Sequence, residues 1–480
     1  MRLLRILIAL LVMLPSLSSV AQSCDHMLLF DGYNSFIDCG PGDNLNIEGQ
    51  LTVEAWVKLD QRFAMQHVIG NFDQNSFNGF YMAIQNQALN CAVKDSVNGT
   101  KSFNVYQVPF NVWTHIAFTY KTGGRFRGYI NGKVRIDVPA STTRIGNQTS
   151  SHLIIGSAPW RPDTLVAQGN IDEVRIYNLE RSANQIREDM RMVLSTPQSG
   201  LIGYWKMAEG TGVTTADLSG SGCNGNLSGV VLPTWQTAEG PYGEGSSYLA
   251  APASSGVLNF PGTDLEMNFL QSCLDTFVVS NLQCSPNVLP VCCANYSDSY
   301  WIIDRYGVLN PVSYDLNFSL PPGAVSVTDE LNPTNIQLQQ RDGFSTGTWT
   351  NNAFAVSASS VSADVQFANT GVPGQLLLGT TGNSALNNLE SVNSVAASVV
   401  VFPNPADNSF SVELSPSLVG STEIKIYDAV GRIVLSPSVN IIDQAVVVET
   451  KNWNSGLYYV TVLSATNYYV QKLLVNKNVD

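Results

Sequence analysis

Catalysis by a Ser/His/Asp or Cys/His constellation needs an imidazole, and this chain of 480 residues offers few of them. Its histidines are His26, His67, His115 and His152. His115 alternates with Trp113 and Ala117 on one face of a predicted strand, so a packed core or edge histidine is favoured over a catalytic one. His67 is equally isolated in the sequence. The histidines therefore predict no catalytic triad.

Paired carboxylates are another route to catalysis. Hydrolysis of a glycosidic bond needs two of them about 5 to 9.5 Å apart, one as the acid and one as the nucleophile or base. Asp172 and Glu173 are the nearest candidates, but neighbouring residues on a strand point to opposite faces. We therefore expect no glycosidase site at this pair and no enzymatic activity.

Two loops carry side chains suited to binding. Carbohydrate sites commonly combine an aromatic stacking platform with a few fixed polar groups. The candidate ligand-binding residues are Trp160, Arg161 and Asp163 in one loop and Asp73 and Phe77 in the other. For Trp160 the alternative is a loop anchor tucked against the domain, and the sequence leaves both possibilities open.

Four of the eight cysteines crowd one short stretch and are Cys273, Cys284, Cys292 and Cys293. Structural zinc usually takes its cysteines from closely spaced pairs, whereas these spacings are long and the last two residues are adjacent. In an exported protein we therefore expect local disulfides. The sequence does not fix their pairing, and further pairs could form among Cys24, Cys39, Cys91 and Cys223.

Short alternating runs bounded by turn residues must position these side chains. The runs 51–57, 79–84 and 113–120 have the period of two that is typical of strands. Asn131 and Gly132 lie between two further runs and form the strongest short-range signal for a β-hairpin. Many short strands at this spacing predict a sandwich or jelly roll. A single helix is predicted around residues 182–190, with Ser182 available as its N-cap.

Five motifs follow one another in a specific order between residues 25 and 195. They are Leu29-Phe-Asp-Gly32, Leu51-Thr-Val-Glu-Ala-Trp-Val57, Trp113-Thr-His-Ile-Ala117, Tyr129-Ile-Asn-Gly132 and Gly169-Asn-Ile-Asp-Glu-Val-Arg-Ile-Tyr-Asn178. This succession resembles laminin-G-like domains of the concanavalin-A-like lectin/glucanase type. The resemblance implies a jelly-roll sandwich with a C-terminal extension over residues 22–235. Laminarinase-like enzymes share this fold, but the sequence lacks the strand with paired carboxylates that they use.

The same resemblance implies a cation. Laminin-G-like domains often hold calcium at the rim of the sandwich, where carboxylates and loop carbonyls supply oxygen ligands. Asp31 and Asp172 occupy recurring positions of the family and are the candidate calcium ligands. The alternative is that Asp31 caps a turn and that Asp172 holds Arg175 or a backbone amide.

A stretch rich in Gly, Ser, Ala and Pro at residues 236–256 predicts a linker. Strand-like runs then resume between Pro-, Gly- and Asn-rich turns, and they predict an immunoglobulin-like β-sandwich over residues 257–380. A second linker, rich in Asn, Ser and Ala, is expected over residues 381–397.

The C-terminal region carries the motifs PNP at 403–405, YDAVGRIV at 427–434, GLYYV at 456–460 and KLLV at 472–475. The ordered set closely resembles the type IX secretion system C-terminal sorting domain and implies a small β-sandwich over residues 398–480 that the type IX secretion machinery recognises. The residues that carry the resemblance are Pro403, Asn404, Pro405, Tyr427, Gly431, Gly456, Tyr458 and Lys472. Such export implies a protein that is secreted or held on the outer surface of a Gram-negative bacterium.

The N-terminus predicts the first step of that route. Arg2 and Arg5 precede an apolar run that ends in small residues near Ala21, as in a secretory signal peptide over residues 1–21. A lipoprotein acylated at Cys24 is the weaker alternative. The apolar run is shorter than the ~20 residues that a membrane-spanning helix needs, and no later segment predicts one.

The charge of the chain disfavours two classes of binding partner. The net charge of −13 and the pI near 4.7 disfavour nucleic acid and anionic lipid. The sequence as a whole predicts an exported all-β protein that binds a carbohydrate or a surface protein as a non-catalytic adhesin. The alternatives are a secreted polysaccharide hydrolase with an unrecognised site and a structural component of the cell surface or matrix.

Overall fold

The computed structural model describes most of the chain. The described residues are 25–41, 45, 47, 49–72, 79–95, 99–140, 145, 151–161, 164–252, 254–307, 311–371, 373–381, 399–402, 406–414, 423–428, 432–435, 445–463 and 468–477. The chain divides into two compact units, Met1–Asn388 and Leu389–Asp480. The signal peptide, Cys24 and residues 382–397 of the second expected linker lie outside the described residues.

The first sandwich is built from sixteen described strands and helix α1 (Ala183–Asp189). The strands are β1 (His26–Asp31), β2 (Phe36–Pro41), β3 (Gln50–Leu59), β4 (Gln66–Gly70), β5 (Gly79–Gln85), β6 (Ala88–Asp95), β7 (Gly99–Tyr106), β8 (Thr114–Lys121), β9 (Arg125–Ile130), β10 (Lys133–Pro139), β11 (His152–Ile155), β12 (Gln168–Tyr177), β13 (Leu201–Trp205), β14 (Thr214–Thr215), β15 (Gly225–Ser228) and β16 (Thr234–Thr237).

Two antiparallel sheets enclose the core of this sandwich. The first sheet has the order β10-β9-β8-β3-β12-β1-β16, with β13 also paired to β12, and the second has the order β14-β15-β2-β11-β4-β5-β6-β7. On β5, Phe80 and Met82 enter the core, whereas Tyr81 lies on the opposite face, as the period of a strand requires. The predicted β-sandwich is therefore confirmed.

The predicted hairpin and helix are also present. Asn131 and Gly132 connect β9 to β10 with φ angles of +52° and +68°, the positive values that a type I′ turn needs at both central residues. Helix α1 begins after Ser182, whose hydroxyl accepts a hydrogen bond from the backbone amide of Gln185. The side chain of Gln185 accepts in turn from the backbone amide of Ser182, which completes a capping box.

The second sandwich contains helix α2 (Val327–Leu331) and twelve described strands. The strands are β17 (Gly245–Ala250), β18 (Gly256–Phe260), β19 (Leu265–Phe269), β20 (Thr276–Leu282), β21 (Asn295–Tyr296), β22 (Tyr300–Tyr306), β23 (Tyr314–Ser319), β24 (Ile336–Arg341), β25 (Thr350–Phe354), β26 (Ser357–Ala358), β27 (Asp364–Phe367) and β28 (Gly374–Thr380).

These strands form a two-sheet antiparallel sandwich. One sheet has the order β17-β20-β22-β28-β24-β25, with β21 paired to β28, and the other has the order β18-β19-β23-β27-β26. Apolar residues of both sheets meet in one core. The sheets have seven and five described strands, more than the four and three of a constant immunoglobulin domain.

Residues 236–256 do not form the linker that their composition predicts. They include the end of β16 and the whole of β17, which pairs with β20 along its length. Tyr242 is buried against Trp56 and Trp113 of the first sandwich. Small residues are abundant here because the chain runs closely between two packed bodies, a condition that composition does not distinguish from a flexible tether.

The two sandwiches are joined by a buried interface. Met190, which follows α1, packs against Val278 and Tyr306 of the second sandwich. Arg191 is fully buried, and its Nε and Nη2 atoms lie 2.5 and 2.9 Å from the Asp304 carboxylate. This interface covers part of the outer face of the first sheet.

The C-terminal unit is a small antiparallel structure with its own core. Its described strands are β29 (Val399–Phe402), β30 (Ser409–Leu414), β31 (Glu423–Asp428), β32 (Ile433–Leu435), β33 (Ala445–Glu449), β34 (Gly456–Leu463) and β35 (Tyr468–Val475). They form sheets of order β29-β30-β33 and β32-β31-β34-β35. In the described parts of the whole chain, neither helix is long and apolar enough to cross a membrane.

Candidate functional site

An aromatic cluster lies on the outer face of the second sheet of the first sandwich. We call it the outer-face cluster, and its rings are His67, Phe72, Tyr81 and Trp160. The ring centroids of Phe72 and Trp160 are 4.8 Å apart, and that of His67 lies 5.0 Å from both Tyr81 and Trp160. Strand β4 pairs with β5 on one side and β11 on the other, so rings that are distant in sequence meet here.

Polar groups surround these rings. The Tyr81 hydroxyl donates to Asn90 Oδ1 at 3.0 Å, and Lys94 Nζ lies 4.7 Å from the centroid of the Phe72 ring. Asn90 and Lys94 alternate with core residues on β6 and therefore share one face of the sheet. Arg161 is exposed beside Trp160. Phe72, Asn90 and Lys94 are buried, whereas Tyr81 and Trp160 are half-buried. Partly exposed aromatic rings beside a hydrogen-bonded amide and a cation are features of sites for sugar-like ligands.

Of the predicted ligand-binding residues, the structure describes Trp160 and Arg161. Trp160 is half-buried, so it anchors its loop and also keeps part of its ring accessible. Asp163, Asp73 and Phe77 lie outside the described residues. Phe72 directly precedes Asp73, and its ring centroid lies 4.8 Å from that of Trp160.

Sequence reasoning missed four members of this face, which are Phe72, Tyr81, Asn90 and Lys94. Phe72 lies in the predicted loop but was not singled out, and Tyr81 is the outward residue of a strand that the sequence predicts. Asn90 carried no comparable signal. The polar and aromatic residues on the outward positions of β5 and β6 were the available clue.

His67 is the electrostatically unusual member of the cluster. It is fully buried, and burial lowers its pKa to about 3. Neither ring nitrogen has a hydrogen-bond partner among the residues that the structure describes. The imidazole is therefore neutral near pH 7 and packs as the fourth aromatic ring of the cluster.

The two candidate calcium ligands do not converge. Asp31 Oδ1 accepts hydrogen bonds from the backbone amides of Tyr33, Asn34 and Ser35 and from the Ser35 hydroxyl, so it caps a turn. Asp31 is paired with Gln168 across the sheet, about 13 Å along β12 from Asp172. No three described His, Cys, Asp or Glu residues form a group that could hold a metal. The described residues do not fit a calcium site shared by this pair.

Asp172 and Glu173 lie at a β-bulge in the first sheet. The register shifts between Asp172 and Arg175, and Glu173 has a φ of +50°. Asp172 accepts from the Tyr242 hydroxyl at 2.6 Å and from the Glu173 amide, whereas Glu173, rather than Asp172, holds Arg175 at 2.5 Å. Burial and then the charge of Glu173 raise the pKa of Asp172 well above its usual range. Both carboxylates are buried at the interface, where a polysaccharide cannot reach them.

His115 belongs to the same buried network. Its Nε2 lies 3.5 Å from Glu54 Oε2, and Arg181 approaches the other oxygen of Glu54 at 3.2 Å. Burial raises the pKa of Glu54, but Arg181 and His115 outweigh it and lower that pKa to about 2. His115 is 1% exposed, so the expectation that it is packed in the fold is confirmed.

The expected disulfides among the four crowded cysteines are not formed. Cys273 packs in the core of the second sandwich, whereas Cys284 and Cys293 pack in the cluster shared with the first. Cys273, Cys292 and Cys293 carry free thiols, and Cys284 is disulfide-bonded. The fold thus separates Cys273 from Cys284 and Cys293. Free thiols are also found at Cys39 and Cys91.

The sorting residues can be placed in part. Tyr427 lies on β31, Gly456 begins β34, and Lys472 lies on β35 opposite Tyr459. Tyr458 is buried, packs its ring 4.8 Å from that of Trp453, and donates to the Asn454 carbonyl. The remaining sorting residues lie outside the described part of the chain and are Pro403, Asn404, Pro405 and Gly431.

Several solved structures are similar to the chain at low identity. A proposed carbohydrate-binding protein from Bacteroides ovatus matches at 20% identity with a TM-score of 0.37, over 46% of this chain and 62% of that one. The CBM40 of the Ruminococcus gnavus IT-sialidase, bound to α2,3 sialyllactose, matches at 12% with a TM-score of 0.30, over 34% and 97%. A pentraxin from Limulus polyphemus matches at 15% with a TM-score of 0.26, over 34% and 81%. At these identities and TM-scores, the similarity does not indicate a function for this chain.

Family models match the two ends of the described chain. No curated protein sequence matches it. The model of the concanavalin A-like lectin/glucanases superfamily matches residues 31–187, and that of the secretion system C-terminal sorting domain matches residues 400–476. The chain thus combines a concanavalin A-like lectin/glucanase domain with a C-terminal secretion sorting domain.

Proposed function

We propose that this protein is an exported, non-catalytic glycan-binding protein of the cell surface or the surrounding medium, with the outer-face cluster as its binding site. The carrying observation is the convergence of Phe72 and Trp160, from two separate loops, on one face of the sheet. The match to a superfamily of lectins and glucanases supports a carbohydrate ligand. An adhesive role on that surface would follow from binding a glycan of a neighbouring cell or matrix.

Export accounts for the C-terminal unit. The match to a sorting domain supports passage through the type IX secretion machinery. The predicted signal peptide would supply the first membrane crossing. A surface or extracellular location would place the outer-face cluster where glycans are abundant.

Hydrolysis has weaker support than binding. The Asp172 and Glu173 carboxylates are engaged by Tyr242 and Arg175 in a buried interface. A general acid and a nucleophile must instead face the scissile bond. Binding by stacking and hydrogen bonding needs no such pair.

Titration calorimetry of the full chain against oligosaccharides selected on a glycan array tests the proposal. We expect Trp160→Ala to weaken binding about tenfold, because loss of a stacking ring removes roughly 1–2 kcal/mol. Phe354→Ala is the matched control, since Phe354 is a 50% exposed aromatic on the second sandwich. Equal affinities for Trp160→Ala and the unaltered chain, or no glycan bound at all, would contradict the proposal.

A further inference from the structure

Two adjacent thiols lie at the surface of the second sandwich. Cys292 is exposed and Cys293 is half-buried, and both are free. Their sulfur atoms are 2.9 Å apart. A disulfide bond is about 2.05 Å long, so the two sulfurs need to move less than about 1 Å closer to reach bonding distance.

The backbone around the pair is held in place. The Cys293 amide donates to the Tyr296 hydroxyl oxygen at 3.2 Å, and that hydroxyl also contacts the Pro290 carbonyl. The next amide, that of Ala294, donates to the Thr380 carbonyl at 2.8 Å beside the end of β28. Hydrogen bonds therefore hold the backbone on the Cys293 side of the pair, where the two sulfurs meet.

The two thiols are not equivalent. Burial, followed by the neighbouring Cys292, raises the pKa of Cys293 to about 12, so Cys293 stays protonated near neutral pH. Cys292 is the thiol that an external reagent can reach. Because the thiolate is the attacking species, Cys292 should react first and Cys293 second.

We propose that Cys292 and Cys293 form a reversible dithiol/disulfide site that exchanges with external disulfides. The Cys292 thiolate attacks one sulfur of the external disulfide, forms a mixed disulfide and releases one thiol. Cys293 then loses its proton and attacks the Cys292 sulfur, which releases the second thiol and closes the Cys292–Cys293 bond. The external disulfide takes up two electrons and two protons, and the protein loses the same number. A thiol reductant reverses both steps.

Because Cys292 and Cys293 are neighbours in the chain, a disulfide between them should be easy to reduce. Consecutive Cα atoms are about 3.8 Å apart, below the roughly 4.4–6.8 Å usual for disulfide-bonded residues. A strained bond is more easily reduced than a structural one. Such a site suits an exported protein, which passes between compartments of different redox poise.

The test exposes the full chain to oxidised glutathione near neutral pH, followed by acid quenching, alkylation and peptide mass spectrometry over residues 290–296. We expect the unaltered chain to lose both alkylatable thiols and to regain them with dithiothreitol. Cys293→Ser should accumulate a glutathione adduct on Cys292, because the second thiol is missing. Cys292→Ser should react at least about tenfold more slowly. Buried Cys91 serves as the internal control and should remain alkylatable after denaturation.

Three results would overturn the proposal. They are retention of both thiols, arrest of the unaltered chain at the glutathione adduct, and a bond from either residue to a different cysteine. Each variant is first compared with the unaltered chain by thermal unfolding. Cys293→Ala replaces Cys293→Ser if a half-buried hydroxyl disturbs the fold, and the same adduct is expected.

Discussion

Burial of His67 in the outer-face cluster lowers the stability of the fold. A buried polar group without a hydrogen bond typically costs about 1–3 kcal/mol. Both nitrogens of His67 are in that position among the described residues, while its ring packs against Tyr81 and Trp160. An apolar ring of similar size at this position would avoid that cost.

The pKa of His67 predicts an acid-sensitive fold. Its folded-state pKa of about 3 lies below the ordinary value of 6.5, so the unfolded chain binds the proton first as the pH falls. The unfolding free energy should therefore fall between pH 6.5 and 3, by up to about 1.4 kcal/mol per pH unit from this residue. His67→Phe should remove that component. Urea unfolding at pH 8 and pH 5 measures it.

The comparison between the two pH values contains its own control. At pH 8 the imidazole is neutral in both states, so the difference between the variant and the unaltered chain reports packing and the unpaired ring nitrogens, without a contribution from protonation. At pH 5 the variant should gain roughly 2 kcal/mol relative to that difference. A difference that is the same at both pH values would show that His67 is not a buried neutral base.

The residue types of two segments, around Trp160 and around Asp73, suggested them as candidates for binding, but residue types do not show which side chains touch. Their contact through Phe72 depends on the pairing of β4 with β11, which no local pattern specifies. Asp172 was similarly hard to interpret, because its partner Tyr242 lies in a stretch whose composition indicates a linker.

The sequence predicted the strands and turns that have a clear local pattern, but it did not predict the irregular elements. Alternation located β3, β5 and β8, and Asn131 with Gly132 located the β9–β10 hairpin. The bulge at Glu173 was missed, since an extra residue in a strand leaves no mark on apolar periodicity. The bulge matters because it lets both carboxylates join the buried network.

The turn between β9 and β10 also contributes to the interface between the two sandwiches. A Cβ atom on Gly132 would lie 2.6 Å from the Tyr306 hydroxyl of the second sandwich and 3.0 Å from Arg187 Cγ of α1. Gly132→Ala should therefore add crowding to backbone strain and loosen this part of the interface. We expect a loss of about 1–3 kcal/mol from crowding, measured by urea unfolding of the full chain.

Gly123 provides the matched control for that change. It lies in the turn between β8 and β9 with a φ of +67°, and no described atom lies within 4 Å of the position that a Cβ would take there. Gly123→Ala should thus cost only the left-handed backbone strain of roughly 1–2 kcal/mol. Equal losses for the two variants would mean that Tyr306 and Arg187 yield freely and that the contact is unimportant.

At the level of the whole molecule, the first two sandwiches act as one body. The buried Arg191–Asp304 pair and the packing of Tyr242 on Trp56 join them at several points. The composition of residues 236–256 predicted a boundary between two independent domains, whereas the structure packs the two sandwiches together. The interface contains residues from both sides of that boundary, and such contacts exist only in the folded chain. The C-terminal boundary was easier to place, since its unit has its own core.

The C-terminal unit should be separable in function as well. We expect a chain that lacks residues 398–480 to remain in the periplasm, because the sorting match is confined to that region. Cell fractionation with mass spectrometry of the mature termini measures this outcome. The first unit should keep its unfolding temperature, since the core of the deleted region contains no residue of the first two sandwiches.

A gain-of-function control separates a sorting defect from misfolding. Residues 398–480 fused to an unrelated periplasmic β-sandwich should carry that protein to the surface or medium of a host with the same machinery. Replacement of buried Tyr458 by Ala within the fusion should lower export, because its ring packs on Trp453 and its hydroxyl fixes the Asn454 carbonyl. Surface delivery of the truncated chain would refute the assignment. Delivery of the truncated chain and retention of the fusion would together place the export signal within the first unit.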